Sequence, residues 1–203
     1  MTEQLSTVML DEIREQPALL DNILKHRTDL TAGFVRLMRE KPVKRMFFVG
    51  NGSPYYVGCT LAGAARRLLH VDATAAGYFN NHGAFPVPEC YRPEEVVLIC
   101  PAESGHSRGQ VDAARLAQKL GIAVVSTTLN PKGVLARNSD IVLPKEGRHE
   151  SAMAATKGQT MAILLILLCF LDAAAALGNI TPEEYRRYLD ACEALPRHVN
   201  ETI

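Results

Sequence analysis

The sequence predicts an α/β fold: a flavodoxin-like five-stranded parallel sheet with helices on both faces. Three observations carry this. Short apolar runs alternate with helix-like stretches from residue 46 to residue 177. Two of those runs end in glycine-bearing turns at matching places, FFVGNGSPYY (47–56) and VVLICPAESGHSRGQ (96–110). No linker, low-complexity tract or short repeat divides the chain, so residues 1–203 read as one domain, with a core over about 43–178.

The elements follow in order. Residues 8–30 place Val8, Ile13, Leu19, Leu20, Ile23 and Leu24 on one helical face. Pro17 either starts a second helix or kinks the first. Residues 31–40 are helical and Pro42 ends them. Met46–Val49 is a short strand and Tyr55–Leu69 a helix. Val71–Phe79 has strand character, weakened by alanines. Val96–Cys100 is a strong strand. Arg108–Leu120 is a helix with Val111, Ala114, Leu116 and Leu120 inward, stopped by Gly121 at the C-cap. Ile122–Thr127 is a strand, Pro131–Arg137 a helical turn and Ile141–Leu143 a strand. Ser151–Leu177 reads as one long helix, and Pro182–Leu195 as the last. Strand–helix alternation demands right-handed crossovers, and five strands fit the order 2-1-3-4-5. In that order strands 1 and 3 are neighbours whose connections leave in opposite directions. Both glycine turns then lie at the switch point, where such sheets bind ligands.

Composition removes several classes. Lys+Arg and Asp+Glu both number 22, and a neutral chain is poorly suited to nucleic acid or an anionic membrane. The five cysteines contain no CxxC, and Cys100 and Cys169 sit in apolar runs, so a reducing, cytoplasmic setting without disulfides is expected. The start of the chain is acidic and amphipathic, unlike a secretory signal. The apolar stretch Met161–Leu171 is shorter than the ~20 residues a bilayer needs, and reads as a core or interface helix. There is no HExxH, GxGxxG or Walker A, and no cofactor or metal is expected.

Each loop has a chemical reading beside a plain one. In the first, Gly50 and Gly52 let the backbone turn tightly around Asn51, and Ser53 offers a hydroxyl at a helix start, where N–H groups and the helix dipole favour an anion. A capped turn with no ligand has the same pattern. In the second, Glu103, Ser104, Gly105, His106 and Ser107 precede a helix; the plain reading is an N-cap by Ser104 or Ser107. A third segment, HESAMAATKGQT (149–160), brings Ala155, Thr156 and Lys157 near a helix start. Glu150 there is either an acid–base group beside His149 or a carboxylate at the positive end of a dipole.

These three segments, in this order, resemble a sugar isomerase (SIS) domain, most of all the first of the two such domains in the isomerase part of glucosamine-6-phosphate synthase. The resemblance covers roughly residues 8–180. MLDEIREQP (9–17) is similar to the family's EI-x-EQP run, NGSPY (51–55) to CGTSY, ESGHS (103–107) to QSGET, and ESAMAATK (150–157) to EIGVASTK. The resemblance implies a phosphorylated-sugar ligand held by Ser53, Ser104 and Ser107. Asn51, Gly52, Gly105 and His106 would line its loops, with Glu150, Ala155 and Thr156 toward the sugar. It implies a homodimer, and a second domain beyond residue 203 that supplies a glutamate and a histidine. The chain departs from the pattern at Pro54, Ala102, Glu103 and Ala155. Glu103 is the sharpest departure, since two unit charges about 4 Å apart repel by about 4 kcal/mol at an effective dielectric of ~20. It must turn away, be neutralised by His106 or Arg108, or reject phosphate.

Two functions of different class follow. One is the phosphosugar-binding domain of an isomerase, deaminase or deglycase acting on amino-sugar or ketosamine phosphates, with Glu150 as the only base this segment supplies. The other is a non-catalytic sensor of the same ligands. A third reading is a purely structural domain with its pocket closed.

Overall fold

The computed structural model describes residues 7–77, 90–152 and 154–203. Five strands form one all-parallel sheet: β1 (Arg45–Gly50), β2 (Asp72–Gly77), β3 (Val96–Pro101), β4 (Ala123–Thr128) and β5 (Ile141–Pro144), in the order β2-β1-β3-β4-β5. This is the 2-1-3-4-5 order expected from the alternation. Every residue of β1, β3 and β4 is buried, as the near-continuous apolar runs of a doubly covered sheet require. The edge strands β2 and β5 are only partly covered. The strand expected over 71–79 spans Asp72–Gly77; Tyr78 and Phe79 lie outside the described residues.

Side chains of one strand alternate between two cores. Met46 and Phe48 of β1 join Val97 and Ile99 of β3 on one face. Phe47 and Val49 join Leu98, Cys100 and Val124 on the other. The first face is covered by α3 (Arg27–Glu40), α4 (Ser53–Leu69) and α7 (Lys157–Leu177), with Phe170 of α7 between Phe34 and Phe48, ring centroids 5.7 and 6.3 Å apart. The second is covered by α5 (Arg108–Lys119) and the short α6 (Val134–Arg137). The inward face of α5 is Val111, Ala113, Ala114 and Ala117, whereas Leu120, expected inside, is exposed.

The leading helices are α1 (Val8–Arg14) and α2 (Gln16–Lys25), and Pro17 stands in the first turn of α2, where its missing N–H costs nothing. The last helix, α8 (Pro182–Thr202), starts in a capping box: Thr181 Oγ1 accepts from Glu184 N–H at 3.1 Å, and Glu184 accepts from Thr181 N–H at 2.9 Å. It runs past the expected Leu195 and through Pro196. The sequence also predicted a helix from Ser151. The structure begins α7 at Lys157, and residues 150–156 are irregular. At 21 residues α7 extends past the apolar stretch Met161–Leu171 at both ends and is long and apolar enough to cross a bilayer by length and composition alone. It is instead largely packed inside the protein, against α2, α3, α4 and α8. All five cysteines are free thiols; Cys100, Cys169 and Cys192 are buried.

Candidate ligand-binding cleft

The three segments meet where β1, β3 and β5 end. After β1 the chain turns at Gly52, whose φ is +60°, and α4 begins at Ser53 with Pro54 in its first turn. After β3 it turns at Gly105, with φ +67°. A Cβ at Gly105 would stand 2.9 Å from Thr128 Oγ1, so only glycine fits both the dihedral and the space. Thr127 and Thr128 of β4 hold this loop: Thr127 Oγ1 accepts from Ala102 N–H at 3.2 Å and Thr128 Oγ1 donates to Glu103 O at 3.0 Å.

A side chain the sequence did not single out joins the two turns. Gln110 of α5 is 2% exposed, and its Nε2 donates to Val49 O at 3.3 Å and to Pro101 O. Both carbonyls stand at the C-terminal ends of their strands, and one buried amide donates to the two at once.

The third segment is held by carboxylates. Glu150 is buried, and its Oε1 accepts from Thr156 and Lys157 N–H and, at 2.8 Å, from the Thr156 hydroxyl; Oε2 accepts from Gly158 N–H at 3.0 Å. It therefore caps α7 from seven residues upstream, the dipole role that was the plain alternative to acid–base work. Burial acts to raise its pKa, but the hydrogen bonds from Thr156 and Gly158 and the contact with Glu103 outweigh burial and hold it below the ordinary value. Glu12 of α1 accepts from Ser151 and Ala152 N–H, Glu15 pairs with the buried Lys157 at 2.6 Å, and Gln16 accepts from Thr160 at 2.8 Å.

Glu103 does turn away from the second loop, but neither expected partner neutralises it. Arg108 is exposed and pairs with Asp112, and His106 is exposed. Glu103 Oε1 instead accepts Glu150 N–H at 2.8 Å and lies 3.9 Å from His149 Nδ1. A Cβ on Gly158 would stand 2.7 Å from Glu103 Oε2 and 2.6 Å from Glu150 Oε2, so the two carboxylates close over one bare glycine. The cation beside them is Lys145, just after β5. It is 5% exposed and donates to Gly158 O at 3.1 Å; burial pushes its amine down to about 8 against the opposing pull of Glu103 and Glu150. Lys145 carries no sequence signature; only the fold reveals it.

Ser53, Pro54, Glu103, Lys145, Ala155 and Gly158 line one narrow cleft of about 20 Å³. The first and third segments and Glu103 thus converge. Ser104, Gly105, His106 and Ser107 stand on the second loop outside that lining. Ser104 accepts from His106 N–H at 3.3 Å, and Ser107, the N-cap residue of α5, makes no side-chain cap. Asn51 is partly covered and Gly52 exposed. Ala155 and Thr156 also border a larger apolar groove of about 840 Å³ between α4, α7 and α8. Among the described residues no His, Cys, Asp and Glu cluster suits a metal ion.

A parallel sheet with polar loops gathered at the carboxyl ends of β1 and β3 is the arrangement in which open α/β sheets bind ligands. The comparisons narrow that class. The chain is 25% identical over 203 residues to the isomerizing glutamine–fructose-6-phosphate aminotransferase of Bartonella henselae, covering 96% of this chain and 32% of that protein. It superposes on the C-terminal domain of glucosamine-fructose-6-phosphate aminotransferase from Francisella tularensis with a TM-score of 0.82 at 19% identity, over 97% of this chain and 56% of that one. It superposes on glucosamine-6-phosphate deaminase from Thermotoga maritima with a TM-score of 0.66 at 21% identity, over 94% and 54%. No family model matches the chain. The fold is that of the sugar isomerase (SIS) domains, and the chain spans 32% of the length of the first of these relatives.

Proposed function

We propose that the chain is the phosphosugar-binding SIS domain of an isomerase, deaminase or deglycase acting on amino-sugar or ketosamine phosphates. The observation that carries this is the cluster at Gly158. Glu103, Glu150 and Lys145 sum to one formal negative charge (−1 −1 +1) in a cleft entered by all three segments. A net negative, hydrogen-bonding end suits a hydroxyl- or ammonium-bearing sugar and repels phosphate. The phosphate then sits at the rim, on Ser104 and Ser107 with Asn51, Gly52 and Ser53 opposite and Gly105 and His106 beside it. The sugar points to Glu103, Ala155 and Thr156. A cleft of about 20 Å³ holds one water, so binding must widen it. Glu150, already saturated as a cap, positions the site, and a base from a second domain or a partner copy completes the reaction. We place the protein in the cytoplasm as a homodimer, with no nucleic-acid or membrane partner.

The test is calorimetric titration with fructose 6-phosphate and glucosamine 6-phosphate. Binding of either at millimolar concentration or below is expected, and no heat from either counts against the reading. The sensor reading is favoured by one observation, the full occupation of Glu150. Product formation by the dimer separates the two.

A further inference from the structure

Lys145 is the least comfortable group in the cleft. It is 5% exposed, its amine donates to Gly158 O, and among the described residues no carboxylate lies within 4.0 Å of it. An ammonium carries three donors, and leaving such a group buried with a single neutral partner is costly. It follows directly on β5 and lines the same cleft as Ser53, Glu103 and Ala155, with its amine on the carbonyl of Gly158, another lining residue. Lys157, by contrast, is more buried still, but its charge is matched by Glu15.

We propose that Lys145 is a ligand-contacting residue whose amine donates hydrogen bonds to an uncharged oxygen, hydroxyl or carbonyl, of the sugar bound in this cleft. The inference rests on the phosphosugar reading above and adds to it the group that reads the sugar. The charged neighbours decide which part of the ligand it meets. Glu103 faces the amine from the end of β3 and Glu150 from the segment before α7; the residues that α4 and α7 turn to the cleft carry no titratable group. Two carboxylates against one ammonium exclude a phosphate and admit a polar neutral oxygen. A bound carbonyl or hydroxyl gives the ammonium the partner it lacks, so binding favours its charged form.

Calorimetry with fructose 6-phosphate tests this, because that ligand has no titrating amine and its phosphate is fully ionised above about pH 7. The dissociation constant should be flat near pH 7 and weaken by up to about tenfold per pH unit above about pH 8, as the free amine loses its proton. Lys145→Met should bind at least about tenfold more weakly at pH 7 and lose the pH dependence. Sugar-phosphate binding that is equally tight in Lys145→Met, or a wild-type affinity flat through pH 8, overturns the role of Lys145 and leaves the phosphosugar reading standing. If only glucosamine 6-phosphate binds, the wild-type to variant ratio at pH 7 decides alone. If the variant does not fold, the wild-type pH profile decides. If no sugar phosphate binds, both inferences fall.

Discussion

Replacing Lys145 by methionine should make the free protein more stable. In the unfolded chain a lysine amine stays charged up to 10.5, but in the fold burial lowers that limit to about 8. The difference, 10.5 − 8, is about 2.5 pH units, and at 1.36 kcal/mol for each the charged amine costs the fold about 3 kcal/mol at pH 7. Methionine keeps the unbranched stem and removes the charge. It also gives up the hydrogen bond to Gly158 O, worth about 1 kcal/mol. The net expectation is a gain of about 2 kcal/mol. The cost is fully present below the folded value and disappears as pH rises to the unfolded one, because the unfolded chain holds the proton throughout that window. Wild type should therefore gain on the variant between about pH 8 and pH 10. Urea unfolding of both proteins at pH 7 and pH 9.5, fitted two-state, measures this. A variant less stable than wild type at pH 7 refutes the reasoning, for the amine would then be well paired.

Other expectations follow from single contacts. Gly105→Ala meets both a φ of +67° and Thr128 Oγ1 at 2.9 Å, and should lose about 1–3 kcal/mol in denaturant unfolding. Gln110→Leu strands the carbonyls of Val49 and Pro101 and should cost about 1–3 kcal/mol, with faster amide exchange at both loops. Glu12→Gln should speed exchange of the Ser151 and Ala152 amides while leaving those of β1 and β3 unchanged, as read by two-dimensional NMR. Hydrogen bonds from Lys44 and Arg92 depress the Glu95 carboxyl to about 2. Its stabilisation is intact above 4.5 and fades as pH falls toward 2, and Lys44→Met should flatten that acid limb of the stability curve.

The sheet was legible because its signals are local. Apolar runs, glycine turns and Pro17 each mark a boundary within a few residues, and strand order follows once crossovers are right-handed. Met46–Val49 and Val96–Cys100 were placed within one or two residues of β1 and β3. The misses are tertiary. The helix expected from Ser151 starts at Lys157 because Glu150 reaches across the intervening turn and takes the first N–H groups of α7. Leu120 looked inward by periodicity, yet α5 buries alanines at 113, 114 and 117 and leaves Leu120 exposed where the helix ends. In the cleft, Ser53, Glu103 and Ala155 were found from their loops. Gln110 and Lys145 were not, since a glutamine in a helix and a lysine after a strand look like surface residues until burial is known.

The segment before α7 also says where an anion cannot go. Its backbone has no regular ladder, and buried N–H groups must find acceptors. Those of Ser151 and Ala152 go to Glu12, that of Glu150 to Glu103, and those of Thr156, Lys157 and Gly158 to Glu150. Three carboxylates do here what a phosphate does at the N-terminus of a ligand-binding helix. Two of them, Glu12 and Glu150, are themselves buried, so a phosphate would have to displace fixed negative charge from its own donors. The start of α5 is different. Ser107 leaves its hydroxyl uncommitted as a cap, and the loop before it is exposed at His106. On the proposed function the two N-termini take different parts of the ligand: the open one an anion, and the closed one, stitched by the protein's own acids and by Glu12, Glu15 and Gln16 of the leading helices, the neutral part. Those three residues fall at i, i+3 and i+4, so one face of the leading helices braces the segment at Ser151 and Ala152 and the first turn of α7 at Lys157 and Thr160.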